Sequence, residues 1–465
     1  MHYINHENNQ RLIPRNLSHL PTMSTPSLIP FFLLTFILGL ASSTPSTAAA
    51  AATATTKPAP LVFPLKKDAA TNQYYTTLQL GTPPTAMNAV LDLAGEYTWL
   101  DCSSYRSSSY RPVHCNSSRC EAAGSLSCNG CYGPAKPGCT NDTCGVYAAN
   151  PFLNVLPGSG LAEDVLVLHS TDGIKYKSTS KYQRFAFSCV DDGLNGTTEG
   201  LAKSTKGIVA LARNPASLPT ELSTQLNLPR IFALCLPSSS SGAGHGDLYV
   251  GGGPYTRPPI KQDLAKSLLR TQLLVNPVKR APVYSEGEAS DEYFIDVTTI
   301  KVDFAPISFK SSILTIDKNG VGGTKIATLT PYTVLHSAIF RPLVNEFIKK
   351  AMDRKIKKAA PVAPFGACFD AKTVKSGAAG PHVPTIVLVL RSGVQWRMEG
   401  ANSMARVSKD VMCLGFVDGG SKLRTSIVIG AHQMEDNLVE FDVGSSTFGF
   451  SNSLLLQNSS CSSRS

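Results

Sequence analysis

Residues 74–92 read Tyr74-Tyr75-Thr76-Thr77-Leu78-Gln79-Leu80-Gly81-Thr82-Pro83-Pro84-Thr85-Ala86-Met87-Asn88-Ala89-Val90-Leu91-Asp92. From Tyr74 to Leu80 the residues alternate as a strand does, Gly81 to Pro84 make a turn, and Asn88 to Leu91 run apolar again up to a single carboxylate. Outward from here the pattern repeats in kind. Short β-branched and aromatic runs are punctuated by Gly, Pro and Asn, as in a largely antiparallel β protein. The one clear helical signal is Ile339, Phe340, Leu343, Val344, Phe347, Ile348 and Ala351, spaced by threes and fours, with Lys349, Lys350, Arg354 and Lys355 at its end.

Ser238 to Gly244 is a Ser/Gly stretch near the middle, expected to be a loop or linker, and its two sides rhyme. Before it, Val90-Leu91-Asp92 is followed by Gly207-Ile208-Val209-Ala210-Leu211-Ala212. After it, Tyr293 to Val302 reads as a strand, Thr324-Lys325-Ile326 leads to Ala327, and Ser426-Ile427-Val428-Ile429-Gly430 echoes the later apolar element. Two related β lobes are expected, residues 74–244 and 245–465.

The 465 residues carry 43 Lys+Arg against 33 Asp+Glu, a net charge of +10 with only 16% of residues charged. That composition buries a core and excludes a largely disordered chain, a collagen or a coiled coil. The basic residues are dispersed and lack the Arg/Lys and aromatic clustering of nucleic-acid binders, so acidic surroundings such as an anionic cell-wall polysaccharide are the expected electrostatic partner. The longest apolar run, Ser27 to Leu40, is too short to span a membrane. Flanked by Arg11 and Arg15 and followed by Ala41-Ser42-Ser43, it reads as a secretory signal over residues 1–43, with Met23 as an alternative start. A small-residue-rich segment, 44–73, follows, and the protein is expected outside the cell or in the cell wall.

Secretion makes Cys102, Cys115, Cys120, Cys128, Cys131, Cys139, Cys144, Cys189, Cys235, Cys368, Cys413 and Cys461 an even set compatible with six disulfides. The close thiols Cys128, Cys131, Cys139 and Cys144 also match a zinc pattern, which an oxidising compartment disfavours. Asn116, Asn141, Asn195 and Asn458 each open a glycosylation sequon. No two-histidine zinc helix, nucleophile elbow or phosphate loop is present, and no cofactor is expected. Trp99 and Trp396 read as core residues.

The string Leu78 to Pro84, then Val90-Leu91-Asp92, then Trp99, resembles the amino-terminal lobe of pepsin-like aspartic proteases, which implies a mostly β, bilobal pepsin-like aspartic protease fold over nearly all the mature chain. Gly207 to Arg213 and Ser426 to Gly430 are similar to the family's two hydrophobic-hydrophobic-Gly elements. Val362-Ala363-Pro364-Phe365 before Cys368, Asn402-Ser403-Met404, Cys413-Leu414-Gly415-Phe416 and Ile429 to Leu438 resemble a plant subgroup: the extracellular dermal glycoproteins, the basic seven-S globulins and the cereal xylanase inhibitors.

The family's proteolysis needs two close carboxylates sharing a proton, one acting as base on a water and the other as acid on the carbonyl. Each sits in an Asp-Thr/Ser-Gly string. Here the first string is Asp92-Leu93-Ala94 and the second Ala327-Thr328-Leu329, so the second acid is absent. The flap region, about Tyr147 to Gly160, also departs from the family pattern. Asp317, ten residues before Ala327, reads as part of a hairpin turn and not as a substitute acid. Removing one member of a catalytic unit loses most of its rate. Asp92 is therefore expected to be a retained structural group.

The resemblance implies binding and inhibition of microbial glycoside hydrolases of the xylanase or xyloglucan endoglucanase type. It assigns Lys357 and Lys358 to the place of a basic residue that pairs with the hydrolase's catalytic carboxylates. A second basic or imidazole position, after Gly449-Phe450-Ser451, is filled by Leu454-Leu455-Leu456-Gln457-Asn458. The alternatives are a storage or peptide-binding protein similar to the basic seven-S globulin, and an endopeptidase with residual activity.

Overall fold

A computed structural model describes residues 58–462 except 126, 131–132, 154–155, 191–195, 239–244 and 281–286. The expected signal region, Cys131 and Asn195 lie outside the described residues. Among the described residues, no helix is long and apolar enough to cross a membrane.

The alternation at Tyr74–Leu80 becomes a strand that turns Tyr74, Thr76, Leu78 and Leu80 inward. It pairs antiparallel with Thr85–Asp92, from Tyr75 opposite Val90 to Leu80 opposite Thr85. Gly81 makes the turn at φ 87°, and a Cβ there would lie 2.5 Å from the Tyr105 hydroxyl, so only glycine fits. The rhyme between the two sides is spatial. Thr85–Asp92 runs parallel to Gly207–Ala210, with Asp92 opposite Ala210, while Thr324–Ile326 runs parallel to Ile427–Ile429, with Ile326 opposite Ile429.

Beneath both repeats lies a continuous antiparallel layer. Its order is Leu61–Lys67, Gly246–Val250, Ile231–Cys235, Leu438–Asp442, Thr447–Phe450 and Leu269–Leu274. At its centre Phe232 stacks on Phe441 with centroids 4.7 Å apart, and Tyr293 meets Phe441 at 4.6 Å. All three side chains are buried, so this aromatic cluster ties strands from both halves of the chain into one core.

Two stretches singled out in the sequence adjoin this layer. The Ser238–Gly244 stretch connects the two strands of one hairpin, in which Phe232 faces Val250 and Cys235 faces Asp247. A lobe boundary between residues 244 and 245 would cut that hairpin, because composition marks a polar connection without saying which strands flank it. Likewise the segment 44–73 contains the Leu61–Lys67 strand, whose Leu61, Val62, Phe63 and Leu65 are buried.

In the second half the helix Ser337–Asp353 buries Ile339, Leu343, Val344, Phe347 and Ala351 against the core, following the periodicity in the sequence. Beyond it a small sheet is ordered Lys358–Ala359, Cys368–Asp370, Val411–Leu414 and Met404–Arg406. The cysteines pair as Cys102–Cys189, Cys115–Cys128, Cys120–Cys144, Cys235–Cys461 and Cys368–Cys413, and Cys139 is also disulfide-bonded. Among the described residues, the cysteines of the 102–144 cluster are all disulfide-bonded, and no group of three or more His, Cys, Asp or Glu is arranged to hold a metal.

Candidate functional site

The site lies where the two repeats meet. Asp92 ends its strand with its side chain buried, its Oδ1 accepting from Ala94 N at 2.8 Å. Burial pushes the Asp92 carboxyl up to about 6. The Ala94 and Gly95 amides and Lys325 oppose that rise, while the charge of Glu292 adds to it.

Thr328 clasps the other side of the same strand. Its hydroxyl donates to Leu91 O at 2.7 Å and accepts from Leu93 N at 3.2 Å, so it bonds the residues immediately before and after Asp92. Ala327 directly precedes Thr328, and both Asp92 and Ala327 line a cavity of about 340 Å³. The mirrored contact would need a hydroxyl at position 93, where Leu93 has only buried hydrocarbon. At this junction a hydroxyl comes from Thr328 and none from Leu93, and Asp92 shares the cavity with an alanine at 327.

The cavity holds charged groups that sequence reasoning missed. Lys279 Nζ lies 3.0 Å from Glu96, 3.0 Å from Asp291 and 3.4 Å from Glu288, while Lys325 lies 2.6 Å from Glu292. Burial raises the Glu96 carboxyl above its ordinary value, with Lys279 opposing it. These residues come from three separated segments without a spaced motif, so only the fold brings them together. Asp317 stays away from them. It closes a turn, its Oδ1 accepting from Asn319 N and Val321 N.

A hairpin covers the cavity. Thr143–Tyr147 pairs with Gly158–Thr171, and Tyr147 N donates to the Tyr97 hydroxyl at 2.8 Å while Trp99 Nε1 donates to Ala149 O at 3.0 Å. Trp99 and Trp396 are both buried, which matches their reading as core residues.

Lys357 and Lys358 lie elsewhere, exposed at the edge of the small sheet, with Lys357 N donating to Thr373 Oγ1. Val362 is exposed beyond them and Phe365 packs edge-on against Tyr332 at 4.8 Å. Leu454–Gln457 forms a 3₁₀ turn that buries Leu454 and ends on Asn458 at φ 54°. Asn458, Asn116 and Asn141 are exposed.

A second buried constellation joins the chain's first strand to its late turn. Glu435 meets Lys67 Nζ at 2.6 Å, His432 Nδ1 at 3.0 Å and the Tyr74 hydroxyl. Burial raises the Glu435 carboxyl, but His432 and Lys67 outweigh it and hold the group below its ordinary range. In the sequence His432 and Glu435 stood only within a string resembling the plant subgroup; their partner Lys67 is 368 residues away.

Comparison with known proteins agrees with this architecture. The family model described as xylanase inhibitor N-terminal matches residues 74–252, and xylanase inhibitor C-terminal matches residues 292–452. The N-terminal match takes in both strands of the Ile231–Cys235/Gly246–Val250 hairpin. The chain is 42% identical to "Probable aspartic proteinase GIP2" of Nicotiana benthamiana, covering 87% of this chain and 91% of that protein. It is 32% identical to "Basic 7S globulin" of Glycine max over 86% of this chain and 90% of that one. Among solved structures, that of edgp superposes with a TM-score of 0.83 at 44% identity, over 88% of this chain and 98% of that one. With both halves of one family matched in order along a bilobal, pepsin-like β scaffold, the chain belongs to the xylanase-inhibitor-type family.

Proposed function

We propose that this protein is a secreted, non-proteolytic glycoprotein that binds, and by binding inhibits, microbial glycoside hydrolases of the xylanase or xyloglucan endoglucanase type. The observation that carries the non-proteolytic part is the alanine before Thr328. A lone carboxyl at Asp92 has no second acid to protonate a scissile carbonyl, and neither Glu292 nor Asp291 is free to substitute, being paired with Lys325 and Lys279. The binding part rests on the family and on Lys357 and Lys358. Both are exposed, and a cation entering a hydrolase groove gains strength from desolvation beside its two carboxylates.

A pull-down of secreted fungal glycoside hydrolases with the purified glycoprotein tests this. A stoichiometric complex lost in Lys357→Ala/Lys358→Ala supports the reading, and no hydrolase retained at micromolar concentration overturns it. A second reading, a storage or peptide-binding protein like the seed globulins, is favoured by one observation. Exposed Asn458 opens a sequon on the turn that the inhibitor reading would send into the groove, where a glycan would block entry.

A further inference from the structure

Three segments converge at one end of the small sheet. Residues 355–358 lead into its edge strand, 370–375 leave the neighbouring strand, and 406–410 form the turn between Met404–Arg406 and Val411–Leu414. They are held together by Lys357 N donating to Thr373 Oγ1 at 3.0 Å and Ala371 N donating to Asp410 O at 2.9 Å. Each carries an apolar anchor. Ile356 is buried, Val374 packs against the main core and Val407 against the Phe365 cluster, so the residues between the anchors are turned outward.

Those outward residues are Lys355, Lys357, Lys358, Lys372, Lys375, Arg406 and Lys409, and every one is exposed. The acids in the same segments are Asp370 and Asp410. Asp370 is occupied by the Lys372 amide, which it caps at 3.0 Å, and Asp410 pairs with Lys372 Nζ at 3.0 Å. Asp353, at the end of the helix, is the nearest further acid in sequence, and Arg354 beside it is neutralised by Asp303 at 2.8 Å. Seven cations against two engaged acids leave a surplus of positive charge on one small surface, although the chain as a whole is only mildly basic.

We infer that this end of the sheet is a binding surface for a linear polyuronate, a polysaccharide whose carboxylates recur along the chain. The chemistry is specific in two respects. Six of the seven cations are lysines, compact hydrated charges on flexible stems that can each meet a separate anionic group, as charges recurring along a polymer require. The three segments contain no aromatic residue, so no platform for stacking bases is present. The surface includes Lys357 and Lys358 but does not depend on hydrolase binding. Binding weakens as salt screens the charges.

The test is retention of the full-length glycoprotein on immobilised polygalacturonate near pH 6, with salt titrated. Lys355→Glu/Lys375→Glu/Lys409→Glu leaves Lys357 and Lys358 in place, so hydrolase capture is expected to be unchanged while affinity for polygalacturonate falls roughly tenfold or more, three exposed ion contacts being lost. A control triple with the same change in net charge, Lys181→Glu/Lys203→Glu/Lys261→Glu, alters exposed lysines outside this surface and is expected to retain affinity within about twofold. Equal loss in both triples would show that net charge alone governs retention and would overturn the site. So would equal retention of wild type on double-stranded DNA at the same salt. Undiminished polygalacturonate affinity in the Lys355→Glu/Lys375→Glu/Lys409→Glu variant would also overturn the site, whereas failure of wild type to capture any hydrolase while it binds polygalacturonate would overturn the inhibitor reading alone.

Discussion

The Thr328 hydroxyl lies 3.2 Å from the backbone nitrogen of Leu93, on the opposite repeat, and accepts its hydrogen. The same oxygen donates to Leu91 O at 2.7 Å, so one side chain pins the strand on both sides of Asp92. No reciprocal hydroxyl comes from Leu93. The lobes are therefore held at this point by one threonine and by hydrocarbon.

Thr328→Val keeps the shape but leaves the Leu93 amide and Leu91 carbonyl without that partner in a buried place. Unfolding in urea is expected to show a loss of roughly 1–3 kcal/mol. Thr328→Ser is expected to recover most of it, because the lost element is the hydroxyl.

The Asp92 carboxyl gives the pH dependence a definite sign. Its folded value, about 6, lies above the ordinary 3.8, so the folded state binds this proton more tightly than the unfolded chain. The resulting cost is fully present above about 6 and disappears as pH falls below 3.8. Asp92→Asn is thus expected to be more stable than wild type at pH 7, by at most about 3 kcal/mol, at about 1.36 kcal/mol for each pH unit of displacement. Thermal melts at pH 7 and pH 3.5 check this, the advantage vanishing at the lower pH.

Glu435 has the opposite sign. Its folded value is depressed below 4.5, so the stability contributed by Lys67 and His432 around it is fully present above 4.5 and is lost as pH falls through the folded value. Lys67→Met removes one cation from a nearly buried pair and is expected to cost roughly 2–4 kcal/mol at pH 7. The difference from wild type should shrink on acidification, as measured by denaturant midpoints between pH 7 and pH 3. A difference independent of pH would mean that Lys67 contributes packing only.

The exposed sheet edge should be separable from stability. Lys357→Ala/Lys358→Ala touches no ion pair among the described residues, so its melting temperature is expected to match wild type closely, surface substitutions usually lying within about 0.5 kcal/mol. Any loss of hydrolase or polysaccharide binding in this variant then reports the surface itself.

How much of this was legible beforehand follows from the range of the interactions. The Tyr74–Asp92 strands, the Ser337–Asp353 helix and the paired repeats follow local periodicity and turn chemistry, which act over a few residues. Ala327 was readable because it stands beside Thr328 in a string. The Ser238–Gly244 stretch is legible as a polar connection, but the strands it joins are defined by pairing across the layer and not by its composition. The Lys279 cluster and the Lys67–Glu435 pair were illegible for the same reason: their members are joined by the fold across long stretches of chain, and each residue alone resembles an ordinary surface charge. The exposed basic surface was half visible. Lys357 and Lys358 stand together in the sequence, but Lys375, Arg406 and Lys409 reach them only through the small sheet.

The proposed absence of proteolysis in this cleft, with alanine at position 327, can be measured directly. The most direct measurement is cleavage of a labelled, denatured protein near pH 4 by wild type and Asp92→Ala, each with and without a statin-type inhibitor. The same background rate is expected in all four reactions. Cleavage by wild type that the inhibitor blocks and Asp92→Ala abolishes would contradict it.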